Sequence, residues 1–261
     1  MSVSTAVPDP FGVRGQHVLV VGGTRGIGRA IAWRLAGAGA SVIVNYVRER
    51  GPADALVAEC AAEGLAIEAV RADVTSDKGR DELFAAVDAR FPRLDGLVFA
   101  AATGVHRPFE QLTARHFDFT FALNARAFLS LAQAATPRMS SGGSIVAISS
   151  EGAVHAMHHY TLVGASKGAL ESMARHLAAE LAPRGIRVNV LSPGTVRTDA
   201  WSAMPDAEHR LGAAEARSPL GRLVSLDEVA LAAQFLVSPA SSGVIGHTLV
   251  IDGGSRISGA G

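Results

Sequence analysis

Short apolar runs alternate with alanine-rich stretches along most of this chain. The runs are apolar at nearly every position, as parallel strands are when helices cover both faces of their sheet. They predict strands at residues 17–21, 41–45, 67–70, 96–100, 144–149, 186–191 and 247–251. The stretches between them predict helices at residues 26–38, 53–63, 77–90, 112–139, 160–182 and 225–237. This alternation predicts an α/β fold with a doubly wound parallel sheet and helices on both faces.

No repeat, low-complexity tract or linker divides the sequence, so we expect a single domain over residues 1–261 with an N-terminal extension at residues 1–14. The longest irregular stretch, about residues 195–224, follows the sixth predicted strand and contains Trp201 and Met204. Ligands bind beyond the carboxyl ends of the strands in such sheets, and a loop of this length often closes over them. We therefore predict that residues 195–224 form a substrate lid.

Charge and cysteine content narrow the class of protein. The 24 lysine and arginine residues balance the 24 aspartate and glutamate residues, which gives no electrostatic argument for a nucleic-acid or membrane partner. The single cysteine, Cys60, excludes an internal disulfide framework and suits a reducing compartment. The sequence start lacks the pattern of a signal peptide, and no apolar run is long enough to span a bilayer. We expect a soluble cytoplasmic protein.

Three glycines follow the first predicted strand directly. Gly22, Gly26 and Gly28 form the pattern G-x3-G-x-G within the segment GGTRGIG, which we call the glycine loop (residues 22–28). Glycines here let the backbone turn sharply from strand to helix and let a pyrophosphate approach the N–H groups of the helix N-terminus. The position and the spacing of these glycines predict a dinucleotide-binding site.

The end of the second predicted strand indicates which dinucleotide binds. A site for NAD normally carries an acidic residue there to bind the ribose 2′-hydroxyl, whereas this sequence reads Asn45-Tyr46-Val47-Arg48. Arg48, together with Arg25 in the glycine loop, suits a 2′-phosphate and so favours NADP(H). The alternative is that both arginines are solvated surface groups.

With several further motifs, the sequence resembles the short-chain dehydrogenase/reductase family along nearly its whole length. The matching segments are the glycine loop, Asp73-Val74, LNARA around Asn124, ISS at residues 148–150, Lys167, SPG at residues 192–194 and IDGG at residues 251–254. The resemblance implies a single Rossmann-type domain with a seven-stranded sheet. It also implies a homodimer or homotetramer in which the helices at residues 112–139 and 160–182 pack across subunits.

The resemblance further implies roles for individual residues. Lys167 binds the nicotinamide ribose hydroxyls and lowers the pKa of a catalytic phenol, and Asn124 positions a water in a proton relay. Ser150, seventeen residues before Lys167, stands at the place of the catalytic serine. Asp73 and Val74 meet the adenine, although an aspartate that caps a helix is the alternative at this position.

After the fourth predicted strand the sequence departs from the family pattern. The usual Asn-Asn-Ala-Gly is replaced by residues 99–102, FAAA, which lack the asparagine but keep small side chains that let a cofactor approach. By resemblance, the turn after the sixth strand meets the nicotinamide carboxamide. The predicted cofactor-binding residues are Gly22, Thr24, Arg25, Gly26, Ile27, Gly28, Asn45, Tyr46, Arg48, Asp73, Val74, Ala100, Ala101, Lys167, Pro193, Gly194, Val196 and Thr198.

A second departure concerns the catalytic tyrosine. The usual Tyr-x3-Lys would place it at position 163, where this sequence has valine, and Tyr160 stands in a Tyr-x6-Lys pattern instead. If the helix reaches back to Tyr160, about 700° of rotation places it on the same face as Lys167, roughly 10 Å along the axis. Tyr-x6-Lys is the pattern of the enoyl-acyl-carrier-protein reductases of this family, and the local sequence resembles their type III, NADPH-using branch.

This displacement suits conjugate reduction. Carbonyl reduction needs an acid at the oxygen of the carbon that receives hydride, whereas in an enoyl thioester the charge appears on an oxygen three atoms from that carbon. We therefore predict an NADPH-dependent reductase of the α,β double bond in an enoyl thioester on an acyl carrier protein or CoA. Tyr160 stabilises the enolate in this prediction, and Lys167, Ser150 and Asn124 complete the catalytic set.

Other functions stay open at this point. A ketoreductase of a small or polyketide-like carbonyl would use Tyr160 in a shifted pose, or one of the histidines His155, His158 and His159. A nucleotide-binding sensor without turnover is a third hypothesis, and Tyr160 would then only cap the helix under the lid. The histidines lack a carboxylate partner at metal-ligand spacing, so no metal site is predicted.

Overall fold

A computed structural model describes residues 9, 11–140, 142–198 and 206–257 of the chain. Most of the predicted N-terminal extension, and Trp201 and Met204 of the predicted lid, lie outside the described residues. None of the described helices combines the length and the apolar character needed to cross a membrane.

Seven parallel strands form one sheet with the order β3-β2-β1-β4-β5-β6-β7. The strands are β1 (His17–Val21), β2 (Ser41–Tyr46), β3 (Ile67–Arg71), β4 (Gly96–Phe99), β5 (Gly143–Ile148), β6 (Ile186–Pro193) and β7 (Thr248–Ile251). The order reverses between β1 and β4, which is the switch point where such sheets bind ligands beyond their carboxyl ends. The predicted Rossmann-type seven-stranded sheet is confirmed.

The helices cover both faces of this sheet. They are α1 (Gly26–Gly37), α2 (Arg50–Ala62), α3 (Asp77–Arg90), α4 (Ala114–Phe121), α5 (Phe128–Ala135), α6 (Thr161–Leu181), α7 (Ala207–Arg217) and α8 (Leu226–Val237). Alternate residues of β1 face opposite ways: Val18 and Val20 pack with α1 and α8, whereas Leu19 and Val21 pack with α3, α5 and α6. Burial on both faces explains why the strands are apolar throughout.

The predicted helix at residues 112–139 is not one continuous helix. It divides into α4, a π-helical segment (Ala122–Ala127), α5 and a terminal 3-10 turn (Thr136–Arg138). The π-helical segment contains Asn124, whose side chain bonds both to a neighbouring loop and to α6. A π-helical insertion changes the direction of the side chains that follow it, and such insertions are frequent at functional sites. Hydrophobic periodicity alone could not locate this break.

The predicted lid also differs from the irregular loop that the sequence indicated. It contains α7, which the pattern missed because the helix is mostly polar and buries only Leu211 and Ala214. The described ends of the lid are joined by an isolated parallel bridge between Val196 and Val224. The lid is therefore anchored at its base, beside the carboxyl end of β6.

Candidate active site

The glycine loop forms a close backbone cradle at the carboxyl end of β1. A Cβ atom on Gly22 would lie 2.7 Å from the Ala101 Cα, and a Cβ on Gly28 would collide with the Gly22 carbonyl oxygen. Gly22 and Gly26 also adopt positive φ angles of 76° and 51°, which favour glycine. These positions hold the backbone where a pyrophosphate would approach the N-terminus of α1.

The N-terminus of α1 is open toward this cradle. Its N-cap residue, Arg25, forms no side-chain capping bond, so the first N–H groups of the helix are free to bind an anion. Thr24 is buried within the loop, and Ile27 packs against the apolar core beneath it. Across the cradle, Thr198 lies near Gly26, because a Cβ on that glycine would be 3.6 Å from the Thr198 Cγ2. These residues fit a dinucleotide.

The end of β2 supplies both a brace and positive charge. The buried Asn45 side chain donates to the Ala72 carbonyl over 2.9 Å, and its backbone oxygen accepts from the N–H groups of Gly22 and Gly23. Asn45 therefore fixes the glycine loop, and its amide is directed at β3. Tyr46 and Arg48 follow at the more open edge, where Arg48 is exposed. The exposed Arg25 guanidinium is paired with Glu49 over 3.1 Å.

Asp73 and Val74 occupy the corner after β3. The Asp73 carboxylate accepts bonds from the backbone N–H and the hydroxyl of Thr75, at 2.9 and 2.7 Å. Asp73 thus shapes the turn that leads to α3, whose N-cap is Ser76. The Val74 side chain is buried in the core, so it supports this corner from below. The predicted adenine contacts of both residues stay predictions.

The turn after β6 encloses the opposite side of the site. β6 ends at Pro193, and the Gly194 N–H donates to the Ile251 carbonyl over 2.8 Å. A Cβ on Gly194 would come within 3.0 Å of the Glu151 Oε1, so this turn lies against the segment that carries Ser150. The turn predicted to meet the nicotinamide is therefore next to the predicted catalytic residues.

Tyr160 and Ser150 form a pair of proton-bearing side chains. The Tyr160 hydroxyl donates to the Ser150 Oγ over 3.2 Å. Tyr160 is the N-cap of α6 rather than a helical residue, which corrects the prediction that the helix begins there. Burial raises the pKa of Tyr160, the bond to Ser150 opposes this effect, and the charge of Glu151 adds to it. The phenol therefore stays protonated and able to donate a hydrogen bond at neutral pH.

Val163 fills the position where the family pattern has its tyrosine. Its side chain is buried and packs against Gly104, where an added Cβ would collide with the Val163 Cγ2. The loop after β4 therefore lies directly over position 163. The Tyr160 ring instead packs against Gly152, where an added Cβ would collide with the ring. A tyrosine ring therefore has room at position 160, whereas the loop after β4 leaves no such room at position 163.

Lys167 is buried on α6 and directed at the end of β5. Its Nζ donates to the Ile148 carbonyl oxygen over 2.7 Å. Complete burial lowers the pKa of Lys167 to about 8, and the negative charge of Glu171 on the same helix opposes the shift. Lys167 therefore remains largely charged at neutral pH, and its amine lies at the end of β5, two residues before Ser150. Its role at the nicotinamide ribose stays a prediction.

Asn124 fastens the loop after β4 to α6. Its Oδ1 accepts from the Thr103 N–H over 2.9 Å, and its Nδ2 donates to the Thr103 carbonyl and to the Ser166 Oγ. Because these bonds engage the whole amide, a water-positioning role would belong to the Asn124 backbone in the π-helical segment. That role stays a prediction.

The ring of Tyr160 contacts a histidine that the sequence analysis did not single out. The ring of His106, in the loop after β4, lies 5.4 Å from that of Tyr160. Partial burial lowers the pKa of His106, and the positive charge of Arg210 on α7 acts in the same direction. The rings of His158 and His159 are in contact, with their centroids 3.7 Å apart and their planes tilted by 46°. Within the described ranges no group of three or more His, Cys, Asp and Glu side chains is placed to hold a metal ion.

Sequence spacing alone could not reveal several residues that shape this site. Gly104, His106 and Glu151 come from loops whose spatial positions depend on the whole sheet. Glu171 and Ser149 form a buried bond of 2.6 Å under the site. In the sequence, Glu171 stands one helical turn after Lys167, on the face of the predicted helix that also carries Leu170 and Ala174.

The fold and this site define an oxidoreductase of the Rossmann class. A family model described as enoyl-(acyl carrier protein) reductase matches residues 21–256. The chain therefore belongs to the short-chain dehydrogenase/reductase family, which uses nicotinamide cofactors.

Individual relatives carry different activities in their names. The 1-cyclohexenylcarbonyl-CoA reductase of Streptomyces collinus is 38% identical, over 94% of this chain and 88% of that protein. A hydroxynaphthalene reductase-like protein of Metarhizium majus is 35% identical, over 97% of this chain and 99% of the relative. The crystal structure of a dehydrogenase/reductase from Sinorhizobium meliloti matches with a TM-score of 0.86 and 35% identity, over 93% of this chain and 96% of that one.

Proposed function

We propose that this protein reduces the α,β double bond of an enoyl thioester with NADPH. The observation that carries the proposal is the position of the acid. Tyr160 stands at the N-cap of α6, and buried Val163 occupies the place one turn before Lys167. A proton donor displaced from the lysine suits an oxygen that lies away from the carbon receiving hydride.

The charge around the glycine loop supports NADPH as the cofactor. Arg25 is exposed at the N-terminus of α1, and Arg48 is exposed just beyond β2. Asn45, at the end of β2, carries no charge that would repel a 2′-phosphate. Arg25 is bonded to Glu49 only at the surface, and such a pair contributes little, so it can exchange partners when a phosphate binds.

Individual residues of this chain would then have separate roles in the reaction. The cofactor, held by the glycine loop and Lys167, would supply the hydride for the substrate β-carbon, and a proton from solvent would complete the saturated product at the α-carbon. Negative charge develops on the thioester oxygen, and the neutral Tyr160 phenol stabilises it by donating a hydrogen bond. Lys167 of α6, whose Nζ lies at the end of β5, would hold the nicotinamide ribose, and Ser150 keeps the phenol oriented by accepting its hydrogen bond.

The relative from Streptomyces collinus supports both the thioester and the conjugated double bond. Its name describes a reductase of a cyclohexenylcarbonyl group attached to CoA. We propose CoA or an acyl carrier protein as the carrier of this chain's substrate.

The deciding experiment measures NADPH consumption by the purified protein with crotonyl-CoA and 1-cyclohexenylcarbonyl-CoA. We expect loss of NADPH together with a saturated thioester that gains two hydrogens by mass spectrometry. The Tyr160→Phe variant is the control for background oxidation. NADPH oxidation with ketones or quinones, and none with enoyl thioesters, would reject the proposal.

A ketoreductase is the second candidate, and a specific contact favours it. The Ser150 and Tyr160 hydroxyl oxygens are 3.2 Å apart, so a carbonyl oxygen that contacts both and replaces their mutual bond would receive two hydrogen bonds. The relative from Metarhizium majus carries a hydroxynaphthalene reductase-like name. An alcohol product, identified with the same panel of substrates, separates this activity from enoyl reduction.

We also propose that the protein forms a homodimer or homotetramer through α4 and α6. Phe117 and Phe119 of α4 are exposed, as is Phe109 just before this helix, which leaves large apolar side chains in solvent. Light scattering after size-exclusion chromatography tests this. A monomer at micromolar concentration would contradict it.

A further inference from the structure

A buried acidic residue lies one helical turn beyond the lysine of the site. Lys167 and Glu171 both belong to α6, and their exposed fractions are 4% and 5%. The last residue of β5 and the residue that follows it hold these two side chains. The Ile148 carbonyl accepts from the Lys167 Nζ over 2.7 Å, and the Ser149 hydroxyl donates to the Glu171 Oε1 over 2.6 Å.

A buried ammonium group needs a compensating charge. The Ile148 carbonyl satisfies one Lys167 donor but carries no net charge, and burial without a counter-ion favours the neutral amine. Glu171 supplies the opposite charge, and it acts through the protein interior because the described contacts include no direct bond between the two groups. A charge in the interior is poorly screened, so it acts across such a separation.

The other titratable groups near this end of α6 do not replace Glu171. Tyr160 precedes the helix, and Glu151 follows β5. Glu151 acts on the Tyr160 phenol, whereas Glu171 is the charged group, among the described residues, that acts on Lys167. The Ser149 hydroxyl is buried and fixes the Glu171 carboxylate in place.

We propose that Glu171, oriented by Ser149, is a positioning residue that keeps Lys167 charged and aimed at the end of β5. Its importance for cofactor binding rests on the ribose role of Lys167 in the proposed function. Glu171 itself acts only through Lys167. The pair explains how a fully buried lysine stays a cation where an anionic dinucleotide would bind.

The sequence makes a direct test possible because it contains only two lysines, Lys78 and Lys167. Protein labelled with carbon-13 at the lysine side chain gives one NMR signal for each of them, and Lys167→Met assigns both. We expect Glu171→Gln to lower the midpoint of the Lys167 titration by roughly one pH unit. A Lys167 curve that coincides with that of the unaltered protein would overturn the proposal.

The chain offers a matched control for this substitution. Lys78 and Glu82 have the same i,i+4 spacing on α3 but lie in solvent, with N···O at 3.8 Å. Glu82→Gln removes the same charge from the protein and should leave the Lys167 curve unchanged, because exposed charges are screened. An equal shift of the Lys167 curve in both variants would mean that net charge, rather than Glu171, sets its titration.

Ser149→Ala keeps the test decisive if Glu171→Gln does not fold. We expect a shift of the Lys167 curve in the same direction but smaller, because the carboxylate remains and loses its orienting bond. An unchanged curve in a folded Ser149→Ala protein would then overturn the proposal.

A second readout links the pair to the cofactor. NADPH affinity should decrease from pH 7 to pH 9 in both proteins. The decrease should be several-fold larger in Glu171→Gln than in the unaltered protein. NMR titration needs neither cofactor nor substrate, so a Lys167 shift without any enoyl turnover would reject the proposed function and leave this inference intact.

Discussion

The Tyr160 hydroxyl and the Ser150 hydroxyl oxygen lie 3.2 Å apart, with the phenol donating. This bond joins the N-cap of α6 to the second residue after the end of β5. Glu151, the residue after Ser150, lies against the turn that contains Gly194, so the bonded pair is close to that turn. The loss of activity on removing each of these two hydroxyl groups distinguishes enoyl reduction from carbonyl reduction.

Removal of the phenol hydroxyl should abolish most of the activity. We expect Tyr160→Phe to reduce kcat at least tenfold, since a lost donor to a developing oxyanion commonly costs about 100-fold or more. The ring still packs on Gly152, so the fold and NADPH affinity should persist. Steady-state kinetics and NADPH fluorescence titration measure the two effects. Unchanged turnover would remove Tyr160 from the mechanism.

Removal of the serine hydroxyl should have a smaller effect in enoyl reduction. Ser150 accepts a hydrogen bond from the phenol and so orients Tyr160, but the developing charge would be stabilised by the phenol itself. We expect Ser150→Ala to lower kcat by roughly three- to tenfold, which corresponds to one neutral hydrogen bond. A loss as large as that of Tyr160→Phe would instead favour carbonyl reduction, with both hydroxyls on the carbonyl oxygen.

NADPH binding should weaken as the pH rises through about 8. Burial lowers the pKa of Lys167 to about 8, so the ammonium that binds the ribose is present below this pH and is lost above it. The pKa of Tyr160 is raised, so the phenol keeps its proton over the same range. NADPH affinity measured from pH 6 to pH 9.5 tests this sign. Tyr160→Phe should retain the same decline, whereas Lys167→Ala should bind weakly at every pH.

The sheet could be predicted from the sequence because each strand is buried on both faces. Strand β1 was predicted with the bounds that the structure has, and its alternate residues join two separate cores. The predicted bounds of helices α1 and α3 also agree with the structure to within one residue. Helix α7 was missed because its polar surface leaves almost no apolar periodicity, with only Leu211 and Ala214 buried.

The site was only partly predictable, for a different physical reason. Tyr160, Lys167 and Ser150 stand at spacings that a helix and the end of a strand bring together. Glu171 and Gly104 gain their meaning from contacts with residues far away in the sequence, namely Ser149 and Val163. Such contacts depend on how the loop after β4 and the end of β5 pack on α6, and no local pattern encodes that packing.

The contact between Gly104 and Val163 should limit the size of the side chain that each position can hold. An added methyl group on Gly104 would collide with the buried Val163 side chain. We expect Gly104→Ala to lower the free energy of unfolding by about 1–3 kcal/mol, as overpacking does. Urea denaturation of Gly104→Ala, Val163→Ala and the double variant measures the coupling, and the double variant should recover part of the loss.

Gly212→Ala provides the control for that series. Gly212 lies inside α7, and no atom lies within 4 Å of where its Cβ would be. Alanine is favoured over glycine in a helix, so this variant should gain up to about 1 kcal/mol of stability. A loss of stability in Gly104→Ala that Val163→Ala does not relieve would show that the collision is not the cause.

The cofactor preference should depend on the two arginines beside the glycine loop. Arg48→Ala removes an exposed charge at the end of β2, and Arg25→Ala removes the charge at the N-terminus of α1. Charged hydrogen bonds to a phosphate contribute about 1.5–3 kcal/mol, so each variant should lose roughly tenfold or more in kcat/KM with NADPH. The kcat/KM with NADH should change little, because NADH lacks the 2′-phosphate.

Arg90→Ala, which removes a surface pair with Glu68, serves as the control and should alter neither kcat/KM value. Equal losses with both cofactors would mean that the arginines do not read the 2′-phosphate.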